Sequence, residues 1–378
     1  MIFTDLRFLF LFACCWGSFV VVPPARRSAS LAVWGTVFYV AYAGAWTVPV
    51  IALVGCAAFS NRRGVAWLAG TAICGLLSFF KIPGHPQSWI MPLGFSYLSF
   101  ELLHVIIERR RGRIASVSFV DLLAYALFLP CRIAGPIRRF PEFSAAVGQA
   151  RASADNVYAG VLRILIGLAK KLVIADTLAL TVAELVPGAV TTRQHAWTIV
   201  LAYTFRIYFD FSAYNDLAIG LSRLLGITVP ENFSYPYQAV NIREFWNRWH
   251  ITLSHWVRDY IFVPTGRTLF GTSLRPWPAL IATVSYLVTF LTVGAWHGVT
   301  AGFLAWGAYH GVLLSAHHVI RTRMPSSITD HAWYRSRLAS VVSVAITFAF
   351  VTVGWVPFMT DFATARRLLV VMFLGGQP

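Results

Sequence analysis

The residues able to do chemistry gather in two stretches. The first is Asn241 to Val263, NIREFWNRWHITLSHWVRDYIFV. Drawn as one helix, Trp246, Trp249, Leu253, Trp256 and Tyr260 fall in 3-4-3-4 steps and make an apolar stripe. Asn247, His250, Ser254 and Arg258 fall in 3-4-4 steps and make a polar stripe beside it. Glu244 and Arg248 stand four apart, as do His255 and Asp259, the spacing of a helical ion pair. An interfacial amphipathic helix with a tryptophan belt accounts for the apolar stripe. It does not account for an amide, an imidazole and a hydroxyl in register. Those groups suit orienting and deprotonating a hydroxyl, or holding a polar acyl donor.

The second stretch surrounds His297, in TFLTVGAWHGVTAGFLAWGAYHG. No other acid or base occurs from Pro276 to Tyr309. A core histidine satisfied by a nearby carbonyl is one reading. An ionisable group at membrane depth is costly, however, which makes it a functional candidate by default. Gly294 and Gly298 permit a break or a close helix approach around it. The remaining histidines carry weaker signals. His310 and the pair His317-His318 suggest metal, but HxxxH, HxxHH and HExxH are all absent. His317-His318, beside Arg321, reads as solvated at the interface. His85, His104, His195 and His331 read as loop or helix-end residues, and His255 as a structural partner of Asp259. Neither a phosphate-binding loop nor a GxSxG elbow is present. A histidine with no protein nucleophile fits a general base acting on the substrate's own hydroxyl.

The elements around these residues are built for lipid. Of 378 residues, 57% are hydrophobic, 15% aromatic and 12% charged, and the mean hydropathy is +0.65. Soluble domains average about 25% charged residues. A water-soluble globule could not cover itself with so few charges, and disordered, collagen-like and nucleic-acid scaffolds fall with it. The net charge is +16, from 31 basic and 15 acidic residues. Its arginines cluster between apolar runs, at Arg26-Arg27, Arg62-Arg63, Arg109 to Arg113, Arg321 with Arg323, and Arg335 with Arg337. Cytoplasmic loops facing an anionic leaflet explain that better than a nucleic-acid partner. The five cysteines form no CxxC pair, so neither a disulfide framework nor a metal site is expected. The first apolar run does not read as a cleavable signal, since Asp5 and Arg7 cancel and Val21-Val22-Pro23 is not a small-residue site.

A spanning helix needs about 20 apolar residues. Candidate runs lie near 8–22, 29–45, 46–60, 64–80, 90–107, 117–135, 157–183, 195–217, 279–297, 299–320 and 338–359. The expected fold is all-α and polytopic, with about eleven transmembrane or re-entrant helices in one membrane-embedded domain, 1–378. If Arg26-Arg27 and Arg62-Arg63 are cytoplasmic, the N-terminus is outside and Arg109 to Arg113 fall inside. The stretch 203–265 mixes charges with aromatics (Arg206, Asp210, Asn215, Asp216, Glu231, Asn232 among Tyr208, Phe211 and Tyr237) and must line a protein-walled cavity or the interface.

The run YFDFSAYNDLAIGLSRLLGITVPENFSYPYQAVNIREFWNRWHITLSHWVRDYIFVPTG, Tyr208 to Gly266, followed by FLTVGAWHG, Phe290 to Gly298, resembles the membrane-bound O-acyltransferase family. MPLGFSYLSFELLHVIIERRRG and FLPCRIAGPIRRFPEF resemble its bacterial, polysaccharide-modifying branch. The likeness runs from about Met91 to Arg367, the expected catalytic core. It implies a helix bundle around a tunnel through the bacterial cytoplasmic (inner) membrane. An acyl thioester, on a phosphopantetheine carrier protein or on coenzyme A as acetyl-CoA, meets a hydroxyl acceptor from the other side. No cofactor is held permanently and no metal is needed. His297 matches the family's near-invariant histidine and His250 its second motif histidine, so both are implied to be catalytic. Arg248, Trp249, Arg258, Asp259 and Tyr260 match motif positions and, with Asn247, Ser254 and Trp296, are the expected substrate-binding residues. His297 would take the acceptor's proton, and an ordinary histidine pKa of about 6.5 suits that. His250, Asn247 or an indole N–H would stabilise the oxyanion.

The likeness divides between two subfamilies. Phe245 to His250 followed by Ile251-Thr252-Leu253-Ser254 leans to the D-alanyl transfer protein of the teichoic-acid pathway, as does the short chain. Asp259 to Gly266 leans to alginate O-acetyltransferase, which passes its group to an extracytoplasmic transferase partner and an envelope polysaccharide. In GWVPFMTDFATA, Met359 stands where relatives often carry arginine. Two other classes stay open: an acyltransferase for a lipid or protein acceptor, and a transporter of an envelope precursor.

Overall fold

The computed structural model describes residues 2–82, 91–185, 190, 192–325 and 336–375. His85, His331 and Arg335 lie outside these. The described residues are helical, with no strand beyond a single bridge between Phe233 and Trp249. The chain divides into two compact units, one from 1–80, 84–170 and 212–231, the other from 81–83, 171–211 and 232–378.

The first unit holds α1 (Leu6–Val21), α2 (Arg27–Ala43), α3 (Thr47–Ala58), α4 (Arg63–Lys81, its last residue excepted), α5 (Phe95–Arg110), α6 (Phe119–Ala126), α7 (Phe140–Gln149) and α8 (Ala154–Leu168). After a wide π turn at Ala169–Ala175 come α9 (Asp176–Ala183) and α10 (Arg193–Leu224), whose last turns return to this unit. The second unit continues with α11 (Ile242–Arg248), α12 (Ile251–Val257), a π turn at Arg258–Phe262, α13 (Val263–Phe270), α14 (Pro278–His297) and α15 (Ala301–Arg323). It closes with helices Arg337–Gly354, Val356–Met359 and Phe362–Leu374. Starts are marked by side chains that accept from the first free amides: Ser118 from Asp121, Ser153 from Asn156, Asn241 from Glu244, Ser336 from Ala339 and Asp361 from Thr364. Asp361 lies beyond the apolar runs, and those bonds hold its carboxyl below the usual carboxylate range.

Most apolar runs become helices close to their expected bounds, but fewer than eleven meet the demands of a full span. Among the described residues four stretches are long and apolar enough: Pro24–Ala58, Arg63–Lys81, Pro278–His297 and Arg337–Met359. Leu6–Val21 and Phe119–Cys131 are apolar but shorter. The expected run 157–183 is interrupted by its π turn, and α10 has the length but carries charge.

Buried acids inside the first unit are paired with cations. Glu101 on α5 accepts from Arg132 Nη1 at 3.2 Å and from Arg138 Nη2 at 2.7 Å, with all three side chains almost wholly buried. Arg138 also lies against the rings of Tyr125, Phe128 and Phe143. Asp216 on α10 takes Arg163 Nε and Lys170 Nζ, both at 2.6 Å. In the second unit Lys171 bridges Asp176 at 2.7 Å and Asp210 at 2.9 Å. Asp210 and Asp216, the two acids of 203–216, are thus paired within the protein.

Removing one member of a buried ion set strands the others without solvent. Glu101→Ala should therefore destabilise the protein by about 3–5 kcal/mol, with Glu101→Gln in between. Thermal unfolding of the detergent-solubilised chain measures this, and an unchanged midpoint for Glu101→Ala would show that the arginines are satisfied without the carboxylate.

Candidate active site

The continuous helix expected over Asn241 to Val263 is broken. Helix α11 ends at Arg248, Trp249 is extended, and His250 takes the left-handed conformation at φ 45° and ψ 51° before α12 begins. Few residues other than glycine accept that conformation, and histidine is among those that do so more often. The break is held from outside the segment. The amide oxygen of Asn232 accepts from the Thr252 N–H and the Thr252 hydroxyl, both at 3.0 Å, and lies 3.2 Å from His250 Nδ1. The Ile251 N–H donates to the Asn232 carbonyl at 3.0 Å.

The break separates the two stripes' members. Trp246, Trp249, Leu253 and Trp256 stay buried, as the apolar stripe requires. The polar stripe loses His250. Asn247, Ser254 and Arg258 line a cavity of about 290 Å3 with Arg243, Trp246 and Phe290, whereas His250 is turned away and buried against Phe211, ring centroids 4.8 Å apart.

His297 ends α14. Its close partner α15 approaches so tightly that a Cβ on Gly294 would meet the Phe303 carbonyl oxygen at 2.4 Å, and one on Gly307 that of Phe290 at 2.4 Å. The glycines make that approach possible. The His297 imidazole is half-buried and makes no hydrogen bond with another described residue. Rings wall it: Trp296 at 4.5 Å, Phe358 at 4.8 Å, Trp306 at 5.5 Å and Phe303 at 5.8 Å between centroids. Lys81 Nζ donates to the His297 carbonyl at 3.3 Å and stands 5.8 Å from the Trp296 ring. A cation at a helix C-terminus offsets the dipole there. His250 lies in the neighbourhood of His297.

A third imidazole joins this group. His310 on α15 is fully buried, 5.1 Å from Trp306 and 5.2 Å from Trp246 between centroids. Neither of its ring nitrogens, nor the indole nitrogen of Trp246 or Trp306, finds a hydrogen-bond partner among the described residues. An unsatisfied buried polar group costs about 1–3 kcal/mol, so four such atoms around one ring cluster mark a polar spot in an apolar wall. Trp246 belongs to both this cluster and the cavity.

The other expected site residues spread out. Arg248 bonds Glu244 at 2.6 Å, as the helical spacing anticipates. Trp249 packs on Trp355 at 5.0 Å and Tyr260 on Trp256 at 4.8 Å. Asp259 accepts from Arg258 Nε at 2.9 Å. Sequence reading passed over Asn232, Lys81 and Trp306 as site residues and gave His310 little weight. A lone lysine closing the apolar run of α4 was the one local signal for Lys81. Among the described residues no three His, Cys, Asp or Glu side chains gather as a metal-ligand set.

Residues 71–353 match the membrane-bound O-acyltransferase family. The chain is 32% identical to a probable alginate O-acetylase of Pseudomonas fluorescens over all of its own length and 76% of the relative's. It is 32% identical to a teichoic acid D-alanyltransferase of Bacillus subtilis over 72% of its length and 70% of the relative's. A peptidoglycan O-acetyltransferase of Helicobacter pylori is 36% identical over 64% of this chain and 44% of that protein.

The left-handed backbone at residue 250 costs a Cβ-bearing residue about 1 kcal/mol that glycine escapes. His250→Gly should therefore unfold at a higher temperature than His250→Ala while lacking the same imidazole. Equal midpoints for the two variants would mean that the backbone at 250 is not held left-handed.

Proposed function

This chain belongs to the membrane-bound O-acyltransferase family, and on that footing we propose that it moves an acetyl group from a cytoplasmic thioester to hydroxyls of a cell-envelope polysaccharide. Transfer of an acyl group to oxygen is the family's chemistry; the choice of acetyl rests on the cavity. Its charged lining is Arg243 and Arg258, with His255 beside them and no carboxylate among the lining residues. A D-alanyl group brings an ammonium into that cationic lining, where like charges repel. An acetyl thioester brings no such charge, while the phosphate of a phosphopantetheine arm, common to both donors, is attracted to the same arginines. Alignment with the alginate O-acetylase over the whole chain supports the same choice.

In this reading His297 is the general base, because its imidazole is reachable and uncommitted. The acceptor's O–H gives its proton to a ring nitrogen of His297 as the oxygen attacks the thioester carbonyl carbon. The tetrahedral oxyanion is stabilised by His250 and an indole N–H of the ring cluster. The C–S bond then breaks and the departing sulfur recovers the proton from the imidazolium. Asn247, Ser254 and Arg258 hold the donor's arm. Arg248, Trp249, Asp259 and Tyr260 keep the broken helix in shape around them, and Trp296 closes the wall with Lys81. The working core is about 91–367, in the bacterial inner membrane. The donor is acetyl-CoA or a carrier-bound acetyl group, and an extracytoplasmic transferase delivers the product.

The test is mass spectrometry of envelope polysaccharides from cells carrying the wild-type chain, His297→Ala, or neither. Ester-linked acetate should fall by about 10²–10⁴-fold in the variant, the usual contribution of a general base, with the protein still present in the membrane. Ester-linked alanine that vanishes instead would replace acetyl by D-alanyl transfer. Esters unchanged in both respects would overturn the polysaccharide assignment and favour a lipid or protein acceptor, or transport.

A further inference from the structure

A second cavity lies in the first unit, between α4 and α5, with a volume of about 630 Å3. Three arginines, Arg63, Arg110 and Arg111, stand among its lining residues, and the rest is largely apolar, including Trp67, Cys74 and Leu103. The two helices put those arginines at one end. Arg63 begins α4 and Arg110 ends α5, and Arg110 Nη1 donates to the Asn61 carbonyl at 3.1 Å.

From Arg63 to Cys74 a helix rises about 16 Å, at about 1.5 Å per residue. Half of a hydrocarbon core about 30 Å thick is about 15 Å. The groove is therefore one leaflet deep, with its cations at headgroup height. Trp67, one turn after Arg63 and 66% exposed, presents an indole where such rings sit at a membrane interface.

The charge at that end is not cancelled. Arg111 bonds Glu108 at 2.9 Å, and the same carboxylate takes Arg113 at 3.2 Å. Arg63 has no ion pair or side-chain hydrogen bond among the described residues, and Arg110 donates to a backbone carbonyl rather than a carboxylate. Guanidinium groups match phosphate oxygens in pairs. The space below them has room for a chain, since nothing stands within 4 Å of a Cβ built on Gly70.

We propose that this groove binds one anionic phospholipid, its phosphate on Arg63 and Arg110 and an acyl chain laid along α4 and α5 toward Cys74 and Leu103. A zwitterionic lipid offers the same phosphate but adds an ammonium beside two uncancelled cations. The site therefore distinguishes the two classes.

Native mass spectrometry of the purified full-length chain, with equal amounts of phosphatidylglycerol and phosphatidylcholine of matched chains, tests this. One phosphatidylglycerol should be retained in preference, by about five-fold for each uncancelled arginine and roughly 25-fold for two. Arg63→Gln with Arg110→Gln should bring the ratio near one. Arg366→Gln with Arg367→Gln, an equal loss of charge on an exposed pair elsewhere, should leave it unchanged. Gly70→Leu should fill the groove and weaken retention of both lipids while the arginines remain. Equal retention by the wild type, or a preference reduced as much by the Arg366/Arg367 pair, would leave only annular lipid drawn by the net charge and would overturn the proposal.

Discussion

The amide oxygen of Asn232 is the constraint on which the site depends. It gathers three groups from the segment 250–252 and so holds His250 in a left-handed turn. The residues on either side have a helical pattern, and without that anchor the pattern would run straight through. His250 would then share a face with Asn247, Ser254 and Arg258. Because the chain breaks, those three stay on the cavity and His250 turns toward Phe211 and the neighbourhood of His297. One hydrogen-bonding atom thus divides a single stretch of sequence between two tasks.

The same division explains what could be read beforehand. Helices such as Arg63–Lys81, Pro278–His297 and Ala301–Arg323 were legible because length and apolarity are local properties. The glycines beside His297 announced the tight pairing of α14 with α15. The break at His250 was not legible, since no glycine or proline stands there and its cause lies 18 residues upstream. Lys81 was hidden for the same reason, being 216 residues from the carbonyl it meets. His310 looked like one helix residue among others. Only packing places its ring between Trp246 and Trp306. Among the described residues four stretches meet the length and apolarity of a full span, and α10 departs from that pattern by carrying charge that pairing within the protein allows.

Apolar rings and a few polar atoms divide the work in the second unit. Trp246, Trp306, Trp355 and Phe358 form a continuous wall, with Trp306 and Trp355 stacked at 18° between planes. In such surroundings a dipole or charge acts more strongly than it does in water. Lys81, which meets the C-terminus of α14, therefore counts for more than a single charge does in water.

The triad of Glu101, Arg132 and Arg138 has a consequence for how the chain is made. Glu101 leaves the ribosome before either cation, by 31 and 37 residues. At a synthesis rate of about 5–20 residues per second, that interval is roughly two to seven seconds. During it, α5 carries an acid without its mates, which costs up to about 3 kcal/mol at the centre of a bilayer on insertion scales. Helix α5 is therefore poorly suited to settling in lipid alone. It gains its partners only when the segment 129–140 has followed, which ties the packing of α5 to that later segment rather than to α5 alone.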